Sequence, residues 1–319
     1  MVLDGTWSRR PIACSIVFVD ALTDLLRGVR AQSALMCRSS ASPPWAVRYA
    51  GPASLTAVMT SHGDAWLVAD GHQPMRLRAG DVGLIRGPLP FVLADDPATP
   101  PQVDTSLAGC DRWIVGTRTY RLGDEGGTRV LTGSYEVEGS ISDRLLNALP
   151  QAFVVPCGPC PTVDLLSDEI AKDQPGQESV LDRLLDLLLV FALREWFDRP
   201  EANPPAWYRA LGDPVVGPAL RAIHDEPART WTVGELADRA KVSRAVLAKR
   251  FTAQVGVPPL TYLTEWRMSV AADLLAKPDA TVHSVARAVG YRDGFAFSTA
   301  FKRVRGVRPS DHRVVALRA

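Results

Sequence analysis

The chain has 319 residues, 46% of them hydrophobic and 22% charged, which suits a folded globular protein with room for two cores and excludes a disordered or fibrous one. Its net charge of +1 hides a division: from Asp213 onward 17 Lys and Arg face 10 Asp and Glu, net +7, and the preceding residues hold 19 against 25, net −6. A basic C-terminal third on an acidic body predicts that this end meets a polyanion.

The N-terminal stretch MVLDGTWSRRPIACSIVFVD has no charged lead into a long apolar run, so no signal peptide is expected. The most apolar run, LLLVFAL at 187–193, is too short to cross a bilayer. A cytoplasmic protein is expected, in which the five cysteines are thiols rather than structural disulfides. Residues 16–150 are predicted to be mainly strand, with ASLTAVMT, AWLVAD, DVGLIRG, FVLAD and RWIVGTRTY separated by Gly, Pro and Asp. In MRLRAGDVGLIRGPLPFVLAD, Met75, Leu77 and Ala79 alternate with Arg76 and Arg78. Gly80-Asp81 then turns the chain and Val82 to Ile85 restart a strand.

From about Ser140 the periodicity becomes helical. Thr162 is the expected N-cap of the helix in TVDLLSDEIAKD. In ESVLDRLLDLLLVFALREWFDR, Leu181, Leu184, Leu185, Leu188, Phe191 and Ala192 share one face, widened by Leu187, Leu189 and Val190. That pattern fits a core helix or a homodimer helix. The Pro-rich PEANPPAWYRALGDP, at 200–214, is the expected linker.

Beyond it one design occurs twice. In TVGELADRAKVSRAVLAKRFTAQVG, Thr232 and Glu235 form a capping box. Leu236 and Ala237 point inward, a turn spans Ala240 to Val242, and Ser243 caps a second helix with Val246, Leu247 and Phe251 inward. In TVHSVARAVGYRDGFAFSTAFKRVRG, Thr281 is the cap, Val285 and Ala286 pack, and Gly290 turns. A helix from about Asp293 then buries Phe297, Ala300 and Phe301. Between the units PLTYLTEWRMSVAADLLAK reads as one helix with Leu260, Leu263, Val270 and Leu274 on a common face. Two helix-turn-helix units on one rigid helix can set recognition helices in successive major grooves, about 34 Å apart.

Residues 213–319 resemble the DNA-binding domain of the AraC/XylS family of transcription regulators, most specifically through GYRDGFAFSTAFKRVRGVRPSDHR. Residues 16–197 are similar to the cupin-type sensor domain that precedes it in many members. The resemblance implies an α+β multidomain protein. A cupin-like β-barrel with a helical dimerisation segment would occupy 1–199, a linker 200–213, and an all-α DNA-binding domain 214–319. It further implies double-stranded DNA and RNA polymerase as partners, with a homodimer and a small-molecule effector as candidates. Matched to the family motif, Ala245, Ala248, Lys249, Gly294, Phe295, Ser298 and Thr299 fall at base-facing positions. Arg244, Arg250, Arg292 and Lys302 are the phosphate candidates. Lys241 stands where the family has Gly in the first turn, a costly choice if φ is positive there. Alanines at base-facing positions can touch a thymine methyl but cannot hydrogen-bond.

An enzyme, cupin oxygenase or dithiol oxidoreductase, fused to a DNA-binding tail is the competing class. Before the linker, His62 and His72 form no His-x-His pair, so a His-rich iron or zinc site is not expected. Trp45, Trp66, Phe91 and Trp113 are candidate cavity aromatics, with core packing the plainer reading. Cys157-Gly158-Pro159-Cys160 is the tetrapeptide of thioredoxin active sites, but Pro156 and Pro161 flank it and no βαβ frame surrounds it. Three readings stay open. The pair is a regulatory dithiol with thiol pKa values lowered by a helix N-terminus, half of a zinc site completed by Cys14, Cys37, Cys110 or a His, or a structural turn.

Overall fold

A computed structural model of the chain describes residues 21–26, 28–106, 113–123, 127–202 and 204–316. Cys14 and Cys110 lie outside the described residues. Among the described residues the N-terminal half has twelve strands: β1 Val29–Ala41, β2 Ala46–Tyr49, β3 Leu55–His62, β4 Ala65–Ala69, β5 Met75–Leu77, β6 Val82–Arg86, β7 Phe91–Ala94, β8 Val103–Asp104, β9 Ile114–Gly116, β10 Thr119–Leu122, β11 Thr128–Val137 and β12 Ala152–Val155. They divide into a seven-stranded sheet, β12-β6-β3-β11-β1-β10-β9, and a five-stranded sheet, β5-β4-β7-β2-β8. The expected sheet-rich domain is present, but its sheets stay open and face each other instead of closing into one barrel. The turn at Gly80-Asp81 shows why. It joins β5 in the smaller sheet to β6 in the larger, so the predicted strand, turn and strand cross between layers and do not pair.

Period-two alternation gives the larger sheet two apolar faces. Val58, Ile85 and Val130 point to the smaller sheet and pack with Leu67, Leu77 and Leu93. Ala57, Met59, Leu84, Leu131 and Tyr135 point the other way, into a core shared with helices. Those helices are α3 (Pro161–Glu169) and α4 (Gln177–Phe197). Gly133 of β11 lets α4 approach, because a Cβ there would lie 2.7 Å from a Leu185 methyl. The Tyr135 hydroxyl donates to the Leu185 carbonyl at 2.7 Å.

The predicted cap at Thr162 is displaced. Cys160 is the N-cap of α3, Pro161 starts the helix with its fixed φ, and Thr162 is buried within the first turn. In α4 the buried set is Gln177, Leu181, Leu185, Leu188, Leu189, Ala192, Leu193 and Phe197. Leu184 is only half-buried, while Leu187 and Phe191 are exposed, so Phe191 is on the opposite side from its expected face. The leucine-rich helix carries two apolar stripes where one was expected.

The C-terminal half comprises α5 (Ala206–Leu211), α6 (Val216–Asp225), α7 (Val233–Arg239), α8 (Arg244–Val255), α9 (Pro259–Leu275), α10 (Val282–Ala288), α11 (Gly294–Arg305) and α12 (Pro309–Ala316). The stretch expected as a linker contains α5, which starts after Pro205, buries Ala210 and packs Tyr208 against Phe197 with ring centroids 4.6 Å apart. On α9, Leu260 is exposed and Val270 and Leu274 half-buried. The helix instead buries Tyr262, Leu263, Trp266, Met268, Ala271, Ala272 and Leu275. Apolar residues nearly all round are what a helix packed on several sides requires. Its first half joins the core of the first unit and its second half that of the second. Of two short helices of the N-terminal half, α2 (Ser140–Leu146) packs beside it and α1 (Ala21–Leu26) packs on α2, α5 and α6.

Asp213 fastens the start of α6 to α8. Its carboxylate accepts from the Val215 and Val216 N–H groups at 2.8 and 2.9 Å, from Arg250 at 2.7 and 3.0 Å, and from Gln254. Burial raises the carboxyl pKa, but the bonds from Gln254, Val216, Val215 and Arg250 outweigh it and hold the group well below the usual carboxylate range. A depressed folded value stabilises above the unfolded pKa of about 4 and loses that contribution as pH falls through the folded value. Asp213→Asn is therefore expected to lower the urea midpoint at pH 7, with the deficit shrinking steadily below about pH 4.

Candidate nucleic-acid interface and an internal cavity

The two helix-turn-helix units repeat the same capping box and the same turn. Thr232 Oγ1 accepts from the Glu235 N–H at 3.2 Å, and Glu235 accepts from the Thr232 N–H at 2.8 Å. Those bonds from the Thr232 backbone and hydroxyl, with help from Arg229, hold the Glu235 carboxyl below its ordinary pKa. Thr281 and Ser284 repeat the box at 3.0 Å in both directions. In the first turn Lys241 N–H donates to Asp238 and Val242 N–H to Ala237, both at 3.1 Å. In the second, Gly290 N–H donates to Arg287 and Tyr291 N–H to Ala286, at 3.1 and 2.8 Å. The matching residues Lys241 and Gly290 both have positive φ, +54° and +83°. Lys241 thus occupies a left-handed position that favours glycine.

The second helix of each unit begins at a side-chain cap. Ser243 accepts from Val246 N–H at 3.3 Å, and Asp293 accepts from Phe295 and Ala296 N–H at 3.1 and 3.0 Å. Leu247 and Phe251 on α8, and Phe297, Ala300 and Phe301 on α11, are buried as expected. Val246 is not: it is 48% exposed, one position too early in the turn to reach the core. Of the predicted base-facing residues, Ala245, Lys249, Phe295 and Thr299 are exposed and Ala248, Gly294 and Ser298 half-buried, all on the leading turns of α8 and α11. The Ser298 hydroxyl donates to the Gly294 carbonyl at 2.8 Å, which leaves its oxygen as an acceptor. Arg244, Arg292 and Lys302 are exposed around these turns. Arg250 is also exposed, but its guanidinium grips Asp213 and would have to share that partner with a phosphate.

A helix-turn-helix domain family model matches residues 236–314, and a cupin family model matches residues 20–198. Over 306 residues the chain is 35% identical to a putative AraC-like transcription regulator of Streptomyces lividans, covering 92% of this chain and 98% of that protein. The chain belongs to the AraC-like transcription regulators. A second such regulator, from Streptomyces antibioticus, is 33% identical over 304 residues and 92% and 98% of the two chains. Among solved structures, the DNA-binding domain of AdpA in complex with a target DNA is 30% identical, covers 33% of this chain and 93% of that one, and has a TM-score of 0.31. With family membership and a helix-turn-helix domain over residues 236–314, the AraC-like chain is a DNA-binding transcription regulator.

Between the two sheets of the regulator's cupin domain lies a cavity of about 970 Å³. Pairs of residues two apart recur along the wall: Cys37 and Ser39, Val47 and Tyr49, Tyr120 and Leu122, Thr132 and Ser134. Of the aromatics expected there, Phe91 and Trp113 line the cavity. Trp45, just ahead of β2, is instead buried in the core between the sheets, and Trp66 is half-buried opposite Arg76, on the outer parity of β4. Tyr49 and Tyr120 were missed; their signal is the spacing of two from apolar Val47 and Leu122. Tyr49 stacks on Phe91 with centroids 5.0 Å apart, and Cys37 Sγ lies 2.8 Å from Thr132 Oγ1. Burial raises the pKa values of the Tyr49 phenol and the Cys37 thiol, so both remain protonated donors at neutral pH. His62 ends β3 in an exposed position, and His72 Nδ1 lies 3.0 Å from the Asp70 carbonyl.

The CGPC loop leads from β12, which pairs antiparallel with β6, into α3. Cys157 and Cys160 are free, half-buried thiols. The expected lowering of their pKa by the helix N-terminus does not hold at Cys157. Burial, then the charges of Cys160, Glu195 and Asp81, push that thiol up to about 12 despite Arg199. Among the described residues no three His, Cys, Asp or Glu side chains group as metal ligands would, and Cys37 is engaged in the cavity wall.

The paired turns can be exchanged as a test. Lys241→Gly is expected to raise stability by roughly 0.5–1 kcal/mol, the conformational relief partly offset by chain entropy. Gly290→Ala should cost at least about 2 kcal/mol, since a Cβ would lie 2.2 Å from the Ala228 carbonyl oxygen. Denaturant unfolding of the two variants, with opposite shifts in midpoint, checks both.

Proposed function

We propose that residues 1–199 form a dimerising sensor whose cavity takes a small-molecule effector, and that its occupancy controls DNA binding or activation by residues 214–319, joined through 200–213. The cavity of about 970 Å³ carries this reading, because a volume of that size walled by aromatic faces and hydroxyls suits a small organic molecule. The thiol-oxidation version draws on two free cysteines three positions apart, but a Cys157 thiol held near 12 is a slow nucleophile at neutral pH. The effector version is therefore preferred.

Base contact is assigned to Ala245, Ala248, Lys249, Gly294, Phe295, Ser298 and Thr299, and phosphate contact to Arg244, Arg292, Lys302 and a shared Arg250. The dimer is assigned to the outward stripe of α4. Val180, Leu184, Leu187 and Phe191 recur at spacings of four, three and four, the pattern of a coiled-coil seam. Three of them are 44%, 41% and 47% exposed, at Val180, Leu187 and Phe191.

An effector held at a hundred times its Kd stabilises the chain by about 2.7 kcal/mol. A thermal-shift screen of small molecules should thus yield compounds that stabilise the wild type, fail on Ser134→Trp and change DNA affinity. A screen whose every hit acts equally on both proteins would refute the cavity as the sensing site. Leu187→Arg/Phe191→Arg is expected to convert a dimer to a monomer by light scattering. Arg292→Ala should weaken binding to all duplexes alike and reduce the slope of log K against log salt by about 1.

A further inference from the structure

Aligning α8 and α11 by their caps, Ser243 and Asp293, brings out a feature common to both units. The second and third residues of each helix are apolar and exposed: Ala245 and Val246 in one, Phe295 and Ala296 in the other. Phe295 is 80% exposed and Val246 48%. A single exposed hydrophobic residue needs no explanation. The same pair of positions left apolar twice, on the turn that helix-turn-helix docking delivers to base edges, does need one. Around them the exposed charges are mainly cationic, with Arg244 and Lys249 beside one pair and Arg292 beside the other. A surface of apolar tips framed by cations suits a polyanion that itself presents apolar groups. In the DNA major groove the only such group is the C5 methyl of thymine.

We infer that the regulator selects its DNA sites largely through thymine methyl groups packed against Val246 and Ala245 in the first unit and Phe295 and Ala296 in the second. This rests on the proposed placement of α8 and α11 in the major groove. Hydrogen-bonded readout is correspondingly sparse on these turns. Alanine, valine and phenylalanine side chains offer no donor or acceptor, and the Ser298 hydroxyl proton is spent on Gly294. Lys249 and Thr299 remain for polar contacts.

Deoxyuridine tests the idea because it differs from thymidine only by that methyl. Duplexes enriched from a random-sequence library by the full chain would be resynthesised with deoxyuridine replacing thymidine, first throughout and then one position at a time. Fluorescence anisotropy should show about a fourfold loss for each contacted methyl, the equivalent of one buried CH₂. The sensitive positions should fall in two groups about one helical turn apart. In Val246→Ala/Phe295→Ala, folded by circular dichroism, the thymidine preference should drop toward unity in the affected positions. Equal affinity for thymidine and deoxyuridine duplexes overturns the inference. So does a preference that persists undiminished in the double variant, which would place it in DNA shape. Failure to enrich any sequence would instead overturn the underlying placement of the helices, and the inference with it.

Discussion

His224 on α6 is almost without solvent, between partners from distant parts of the chain. Its Nδ1 lies 3.0 Å from an Asp24 carboxylate oxygen on α1, and its Nε2 lies 2.9 Å from the Tyr262 hydroxyl on α9. The ring also packs against Trp266, with centroids 4.1 Å apart. Buried polar groups are tolerated only when their partners are present, so these three must be brought together whenever the two halves dock. Twelve residues further along α9 than the first contact's neighbour Thr261, Asp273 accepts from the Ile141 N–H at 3.4 Å and from that of Ser140, the first residue of α2. Arg144 of α2 donates to Ser269 at 3.3 Å, and Arg305 at the end of α11 reaches the Ser140 hydroxyl. The connecting helix is thereby held near its start through His224, itself bonded to α1, and near its end by α2.

The clasp is attached to the cavity through two strands. β1 follows α1 and β11 precedes α2, and their adjoining ends pair at Val29 and Val137. Farther along the same ladder, Cys37 and Ser39 of β1 and Thr132 and Ser134 of β11 line the cavity. The ladder also changes register between Gln32 and Cys37, both of which line the cavity. The β1–β11 pair thus links the cavity wall to α1 and α2, which contact the helices of the DNA-binding half.

What was legible in the sequence follows the range of the forces involved. Thr232, Ser243, Thr281 and Asp293 cap helices within their own turns, and Lys241 and Gly290 turn the chain within five residues, so local spacing reveals both units. Strand partners are chosen across long stretches of chain, and nothing local in MRLRAGDVGLIRG says that β5 and β6 enter different sheets. The outward turn of Phe191 and Val246 has the same origin. Helical periodicity finds an apolar residue's angular position but not which side the neighbouring layer will occupy. α5 hid in the expected linker because its short apolar set, Trp207, Tyr208 and Ala210, is meaningful only against Phe197 and the core it joins. Tyr49 and Tyr120 were overlooked because a cavity is defined by the strands that surround it, not by any one of them.

β11 meets different neighbours on its two faces. Thr132 and Ser134 turn toward the cavity, while Gly133 and Tyr135 turn toward α4, touching Leu185 by close approach and by hydrogen bond. Side-chain parity separates these duties within one strand. Related proteins can therefore diversify the chemistry of the even positions while the odd positions keep the helix seated. A shift of one residue in pairing would exchange the two sets, so the freedom to evolve new preferences at this wall depends on a register that cannot itself drift.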